Sequence, residues 1–360
     1  MRLVDTNIAA LRASDLEWAD MAMLSAMNTQ KSAAQKLVAR CQDAGVTTIV
    51  GGPLVTIEPE AFPTAGHLIL NEAEITLPEF LADFAHHRAR RIYASSEFAD
   101  LNTSPLPRWD LLDIKRYFLM GIQYSRGCPF NCDFCSVTTL LGSTTRVKSP
   151  EQILAELDGL HEAGWREGVF FVDDNLVGNK RATRTELLPA LSSWQTRHPK
   201  TAYCFNTQAS INIADDPALL AALAAAGFNS VFIGIETPND NSLAECGKVQ
   251  NRRRDLAASV RTIQHAGIEV QGGFIVGFDS DDISIFHRQI EFIQRTGIVT
   301  AMVGLLQAIP GTRLHERMLD EGRVIGSPSG DNVDGTTNLL PQMGLETLND
   351  GYRKILKSIY

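Results

Sequence analysis

Three thiols fall within eight residues of this chain, as Cys128-Pro-Phe-Asn-Cys132-Asp-Phe-Cys135. Three cysteine thiolates can hold three irons of a [4Fe–4S] cluster and leave the fourth iron open to a ligand. A fourth cysteine would close the cluster for electron transfer or structure. An open iron instead permits chemistry on a bound molecule. A structural zinc site needs four ligands, usually in separated pairs. The other cysteines, Cys41, Cys204 and Cys246, are scattered singly and read as buried core thiols. A thioredoxin-like dithiol fails because Cys132-Asp-Phe-Cys135 carries a third thiol four residues upstream.

The loop must be positioned by what surrounds it. From about Leu119 onward the chain repeats a β-branched or aromatic run, a polar loop and an amphipathic helix. The runs are Gly121–Ser125, Val169–Val172, Tyr203–Thr207, Val231–Ile235, Val270–Val276 and Met302–Leu306. Between them, Ile153/Leu157/Leu160, Leu256/Val260/Ile263 and Phe286/Ile290/Ile293 form helical stripes. Ser149-Pro150-Glu151-Gln152 and Asp216-Pro217 read as helix starts. Gly164, Gly227, Gly267 and Gly297 stand where helices should stop.

Six βα units predict an α/β fold, a parallel sheet closed or partly closed into a barrel. Active groups of such a scaffold sit at the C-terminal strand ends. The cysteine loop follows the first strand, as that rule requires. Later strand ends carry Asp173-Asp174-Asn175, Asn206-Thr207-Gln208-Ala209-Ser210, Gly234-Ile235-Glu236-Thr237 and Gly272-Gly273 through Gly277 to Asp279. Carboxylates and amides there would accept from an ammonium-like group. Glycines let a ligand approach the backbone. Ala308-Ile309-Pro310-Gly311-Thr312 follows the sixth strand.

The segment Gly121-Ile-Gln-Tyr-Ser-Arg-Gly-Cys128 through Cys135-Ser136, including Phe134, resembles the cluster loop of radical S-adenosylmethionine enzymes. The resemblance implies a partial (βα)6 TIM-like barrel with Cys128, Cys132 and Cys135 on the cluster. The open iron is then chelated by S-adenosylmethionine, whose reductive cleavage gives a 5′-deoxyadenosyl radical. It further implies that Asp173, Asp174 or Asn175 meets the amino group of S-adenosylmethionine. Phe134, Gln208, Ser210, Gly234, Glu236 and Gly277 are the other implied contacts. Relatives often have Glu where Gln208 stands, so a charge found there in the family is absent here.

Residues 1–90 read as another α/β unit, with strands at Arg2–Val4, Met21–Leu24 and Thr47–Val50 and a helix carrying Ala34, Leu37, Val38 and Cys41. Gly51-Gly52-Pro53 follows the third strand. Leu68–Leu70 and Asn71-Glu72-Ala73-Glu74 precede a helix from about Thr76 to Ala85. This unit resembles the Rossmann-like cobalamin-binding domain that precedes the barrel in one branch of the family. Ser25, Gly51, Gly52 and Glu72 match its cofactor-facing positions. No Asp-x-His-x-x-Gly motif supplies a cobalt-ligating histidine. Arg2-Leu-Val-Asp5 matches that domain's second strand, which implies an incomplete unit without its first strand and helix. The expected organisation is 1–90 cobalamin-binding-type domain, 91–118 linker, 119–320 barrel, and 321–360 the start of a C-terminal extension.

The composition of the 360 residues, 44% hydrophobic and 21% charged, is that of an ordinary globular protein. A formal charge of −9 argues against a nucleic-acid binder. No apolar stretch approaches a membrane span and no export signal is recognisable, so reduced thiols point to the cytoplasm. The resemblance implies a cobalamin-dependent C-methyltransferase on a small-molecule or lipid-like substrate, served by a reductase or a flavodoxin- or ferredoxin-type electron donor. The alternatives are a radical cyclase, rearranging or oxidative enzyme, and a non-catalytic iron–sulfur or cobalamin-binding paralogue. Methylthiotransferases carry three further N-terminal cysteines, whereas only Cys41 lies upstream here. No histidine, and no other residue, is assigned a catalytic role.

Overall fold

Strands form where β-branched and aromatic residues concentrate, and they sort into two units, Met1–Arg116 and Tyr117–Tyr360. The computed structural model describes residues 1–199 and 203–360.

In the first unit, β1 (Met21–Ser25), β2 (Thr47–Gly51), β3 (His67–Ile69) and β4 (Ile92–Tyr93) form a parallel sheet in that order. Strand alternation sends successive residues to opposite faces. Val50 and Leu68 join Ala34, Val38, Leu54 and Phe62 in one core. Ile49 and Ile69 join Phe80 and Tyr93 in another. The helix Lys31–Asp43 buries Ala34, Val38 and Cys41, and Ala73–Ala85 buries Thr76 and Phe80. Two expectations are corrected. Arg2–Val4 is not a strand; Leu3 is 54% exposed, and the segment pairs with no strand of the sheet. The expected linker begins with a strand, since β4 pairs Ile92 with Leu68 and Tyr93 with Ile69.

The second unit contains β5 (Met120–Ile122), β6 (Ser125–Arg126), β7 (Arg146–Val147), β8 (Val169–Phe171), β9 (Phe205–Ala209), β10 (Phe228–Glu236), β11 (Glu269–Val276) and β12 (Ala301–Leu305). Six of them form a parallel sheet, β12-β11-β10-β9-β8-β5, which is the partial (βα)6 barrel; β6 and β7 pair antiparallel. The expected strand Gly121–Ser125 is thus divided. The Tyr124 and Ser125 amides donate to the Asp173 carboxylate, which takes these donors out of the main ladder.

The expected helix ends form. Ser149 caps Pro150–Glu162 by accepting from Gln152 N at 3.2 Å, and Asp216 caps Pro217–Ala225 through Leu219 N at 3.0 Å. Gly164, Gly227, Gly267 and Gly297 all have positive φ. The final helix, Leu345–Ile359, buries Leu348, Gly351, Tyr352 and Ile355. It lies against Ile285–Thr296 so closely that a Cβ on Gly351 would enter the Phe286 ring. Residues 321–360 therefore pack within the second unit. One more expectation is corrected: Cys204 is exposed, because alternation turns it away from buried Tyr203 and Phe205.

Candidate functional site: a cysteine loop at the rim of the partial barrel

The cysteine loop leaves β6 at Gly127, whose φ of +91° is open to glycine and costly for other residues. A Cβ there would strike the backbone oxygen of Thr144. The pairing of β6 with β7 closes the loop's base, and Cys128 N donates to Gly142 O at 3.2 Å. Farther along, Asp133 N donates to Cys246 O and Leu314 N donates to Asp133 O, both at 2.9 Å. Arg313 pairs with the Asp133 carboxylate at 2.5 Å. Phe134 packs beside Phe278, with ring centroids 6.3 Å apart, against a cluster containing Cys246, Leu306 and Leu314. The loop is thus fixed from both ends of the sheet.

The three thiols are free, with Cys132 buried and Cys128 and Cys135 half-buried. Burial raises the pKa of each, that of Cys135 to about 12. Metal coordination deprotonates thiols outright. Among the described residues no three His, Cys, Asp or Glu side chains close on a single ion. The thiols are instead spaced along one loop, and a four-iron cube takes one thiolate per iron, so three thiols serve three of its irons. The donor set therefore fits the cluster.

The strand ends supply the surroundings. Asp173, after β8, is fully buried and accepts from Tyr124 N at 3.1 Å, from Ser125 Oγ at 2.5 Å and from Ser125 N. Its oxygens hold the entry to the cysteine loop. Burial outweighs these donors and raises its pKa to about 7. Asp174 is half-buried, and its pKa is also raised by burial. Asn175 is 3% exposed: its Oδ1 accepts from Ser210 N at 3.1 Å and from Ser210 Oγ at 3.4 Å, while Nδ2 points at Cys128 Sγ, 4.0 Å away. One amide thus joins the ends of β8 and β9 to the Cys128 thiol. Gln208 is half-buried, and its carbonyl accepts from Leu176 N at 3.0 Å.

At the end of β10 a bulge separates Gly234 from Glu236, which adopts the left-handed φ of +64°. The buried Glu236 carboxylate pairs with Lys248 Nζ at 2.6 Å. A Cβ on Gly234 would lie 2.9 Å from that Nζ and collide with the carboxylate. Asn251 donates to the carbonyls of Gly234 and Ile235 at 2.9 and 3.0 Å. Gln289 spans Glu236 O and Ile275 O at 3.1 and 2.9 Å. Gly277, after β11, has φ +107° and donates to Asp281 Oδ2 at 3.0 Å. Lys248, Asn251 and Gln289 escaped the sequence reading. No spacing rule links a lone lysine to a glutamate twelve residues earlier across a helix.

In the first unit, Ser25 and Gly51 are register partners at the carboxyl edge of the sheet. Gly52 follows with φ +92°, and a Cβ there would collide with Ser25 Oγ. Glu72 is buried and accepts from Ala99 N at 2.5 Å, so its carboxylate holds the segment after β4.

The Radical SAM superfamily model matches residues 122–293, and a domain of unknown function, DUF4070, matches 312–360. An uncharacterized methyltransferase of Synechocystis sp. is 39% identical over all of this chain and 67% of its own length. The chain belongs to the radical S-adenosylmethionine superfamily. It falls in the branch whose barrel is preceded by a cobalamin-binding-type domain. The hopanoid C-2 methylase of Rhodopseudomonas palustris is 36% identical over 93% of this chain and 64% of its own length. The chain therefore spans about two thirds of these curated relatives. The radical S-adenosylmethionine methyltransferase TsrM from Kitasatospora setae, solved with cobalamin and a [4Fe–4S] cluster, shares the fold. Its TM-score is 0.70 at 14% identity, over 93% of this chain and 74% of that one. The cobalamin-dependent radical enzyme OxsB shares it with a TM-score of 0.64 at 20% identity, over 96% of this chain and 48% of that one. Among the described residues no helix is long and apolar enough to cross a membrane.

Proposed function

We propose that this radical S-adenosylmethionine protein is a cobalamin-dependent C-methyltransferase acting on a small-molecule or lipid-like substrate. The observation that carries the reading is Asn175, whose one side chain ties Cys128 to Ser210 across two strand ends. Its pairing fixes a cysteine loop and a polar rim as one site. The relatedness to a hopanoid C-2 methylase supports carbon methylation and a lipid-like substrate.

Cys128, Cys132 and Cys135 hold the cluster. When bound, the cluster supplies the electron that breaks the sulfonium bond of S-adenosylmethionine, and cobalamin supplies a cobalt centre that carries methyl. The chain's own residues bind and orient. Asp174 is the carboxylate next to Asn175 whose charge a ligand ammonium would stabilise, offsetting its burial. Asp173 positions the cysteine loop from behind. Ser210 and Gln208 offer neutral hydrogen bonds, Gly234, Glu236 and Gly277 shape the nucleoside side, and Phe134 walls the loop off from water. In the unit of residues 1–90, Ser25, Gly51 and Gly52 leave room for a cobalamin tail at a parallel-sheet edge. Glu72 acts there through the backbone it holds. A flavodoxin- or ferredoxin-type protein, or a reductase, delivers the electron in a reducing cytoplasm.

The test is anaerobic reconstitution with iron, sulfide and cobalamin, then S-adenosylmethionine and a strong reductant. Chromatography follows 5′-deoxyadenosine and S-adenosylhomocysteine in the wild type and in Cys128→Ala. Deoxyadenosine lost in the variant, with S-adenosylhomocysteine that requires cobalamin and a hopanoid acceptor, is the expected result. Deoxyadenosine without methylated product points to another radical reaction. Failure to form any cluster overturns the reading.

A further inference from the structure

Parallel sheets are ordinarily covered on both faces. The face of the six-stranded sheet that carries Phe171, Phe205, Ile233, Val276 and Val303 is buried. The opposite face is not. There Val172, just after β8, and Met302, in β12, are each 40% exposed. Gly273, the register partner of Met302, leaves room on this face for the Phe232 ring, which a Cβ would meet at 2.7 Å. The same face continues to Gln208 and Gly234 at the strand ends. Among the described residues it holds only uncharged side chains between Glu269, at the start of β11, and Glu236, at the end of β10. An uncharged, half-open face continuous with the site suits the body of a neutral hydrocarbon and not an ion.

The free edge of this sheet is β12, and a loop returns over it. Val324 and Leu339 form an antiparallel bridge, so residues 325–338 leave and return at one place. Gln307, two residues past β12, is 8% exposed and spends its amide on this loop. Its Nε2 donates to Asp331 O at 2.9 Å and Ser329 Oγ at 3.1 Å, and its Oε1 accepts from Gly330 N at 3.1 Å. Asn338 clasps Ala308, accepting from its N–H at 2.8 Å and donating to its carbonyl at 2.9 Å. These bonds set the tip against the open face. A Cβ on Gly304 would collide with the Asn332 carbonyl, and Gly304 shares its face with Met302 two residues earlier. Tyr352 donates to Val333 O at 3.2 Å, so the backbone of Val333 is held while the residue stays 49% exposed. An apolar side chain kept in water at a pinned tip gains by covering apolar surface.

Taking the lipid-like substrate proposed above as its premise, we infer that loop 325–338, inside the segment that matches a domain of unknown function, is the side wall of the substrate site. Val333 and Met302 are its specificity-determining residues, facing the hydrocarbon body of the substrate. Gln307 is a positioning residue that holds the wall. The reconstituted chain is titrated with a hopanoid hydrocarbon in detergent micelles, against empty micelles, and methyl transfer to the same hopanoid gives KM and kcat. Val333→Asp and Met302→Glu set a charge against hydrocarbon and should each raise Kd and KM at least about tenfold, with kcat falling far less. Val333→Leu should keep both near wild type. Should a charged variant misfold by far-ultraviolet dichroism, Val333→Ala decides, with a smaller rise in Kd and KM. Gln307→Ala should speed hydrogen exchange at the Gly330 amide and raise KM, whereas a merely structural glutamine would leave KM alone. In the wild type, bound hopanoid should slow exchange within 325–338. Wild-type Kd and KM in the Val333 and Met302 variants overturn the inference, and so does hopanoid binding that leaves exchange in the loop unchanged. A wild type that binds no hopanoid would instead sink the functional reading on which this one rests.

Discussion

The two units present the same feature, the carboxyl edge of a parallel sheet, and finish it differently. In the second unit the strand ends are bonded to one another. Asp173 holds the β5–β6 junction, Asn175 bridges Ser210 and Cys128, and Gln289 spans the ends of β10 and β11. In the first unit the corresponding residues are an exposed serine and two glycines, with one close approach between Gly52 and Ser25. Glu72, the charged candidate, faces Ala99 N. A site that must hold reacting groups in a fixed relation gains from locked side chains. An edge that admits a bulky ligand gains from clearance. Breaking a lock should therefore cost chemistry, and removing an exposed hydroxyl should cost only affinity.

The largest expected effect tests the lock at its entry. Gly127→Ala would place a Cβ against the Thr144 carbonyl and 3.0 Å from those of Gly142 and Leu141, at a φ of +91°. These are backbone atoms with no rotamer to change. Strain of roughly 1–3 kcal/mol then falls on the residue preceding Cys128. Cluster content and S-adenosylmethionine cleavage should drop to background while far-ultraviolet dichroism stays near wild type. Full cluster occupancy in this variant would show that the loop is not set by its hairpin, and the contrast between the two edges would fail.

Asp173→Asn should have the next largest effect. Its amide keeps an acceptor but turns a donor toward other donors, at a cost of about 1–3 kcal/mol for buried groups left unpaired. Hydrogen exchange at the Tyr124 and Ser125 amides should accelerate more than elsewhere. A pH dependence follows as well. Burial pushes the folded carboxyl up to about 7 from its ordinary 3.8, so the folded chain retains a proton that the unfolded chain has lost. Wild-type stability due to this group is fully present below pH ~4 and falls as pH rises toward ~7. The Asn variant lacks that slope, so the gap in denaturation midpoints should narrow over the window. A gap that widens would mean the three donors outweigh burial.

The architecture of the second unit was legible because its signals are local. Capped helices, glycine stops and β-branched runs recur, and Ser149, Asp216, Gly164 and Gly227 act as their sequence context implies. What escaped was set by distant pairing. Two-residue β4 has no periodicity and exists through β3. Arg2–Val4 has strand-like residues but forms no strand. In the site, the cysteine spacing and the acidic rim could be read directly. Which carboxylate is already spent on backbone amides could not, and neither could the lysine that answers Glu236. Both depend on residues brought together by the six-stranded sheet.

The smallest effect examines the open edge. Ser25 is exposed at the end of β1, beside the register-paired Gly51. Ser25→Ala removes a surface hydroxyl, so stability should stay within about 0.5 kcal/mol. If this edge receives cobalamin, calorimetric titration should show weaker binding, by no more than about tenfold for one lost hydrogen bond. Cluster content and the rate of S-adenosylmethionine cleavage without acceptor should not move. Unchanged cobalamin affinity would remove Ser25 from the binding edge. A loss of cluster would mean that the edge taken to be open is bound into the same locked system as the other.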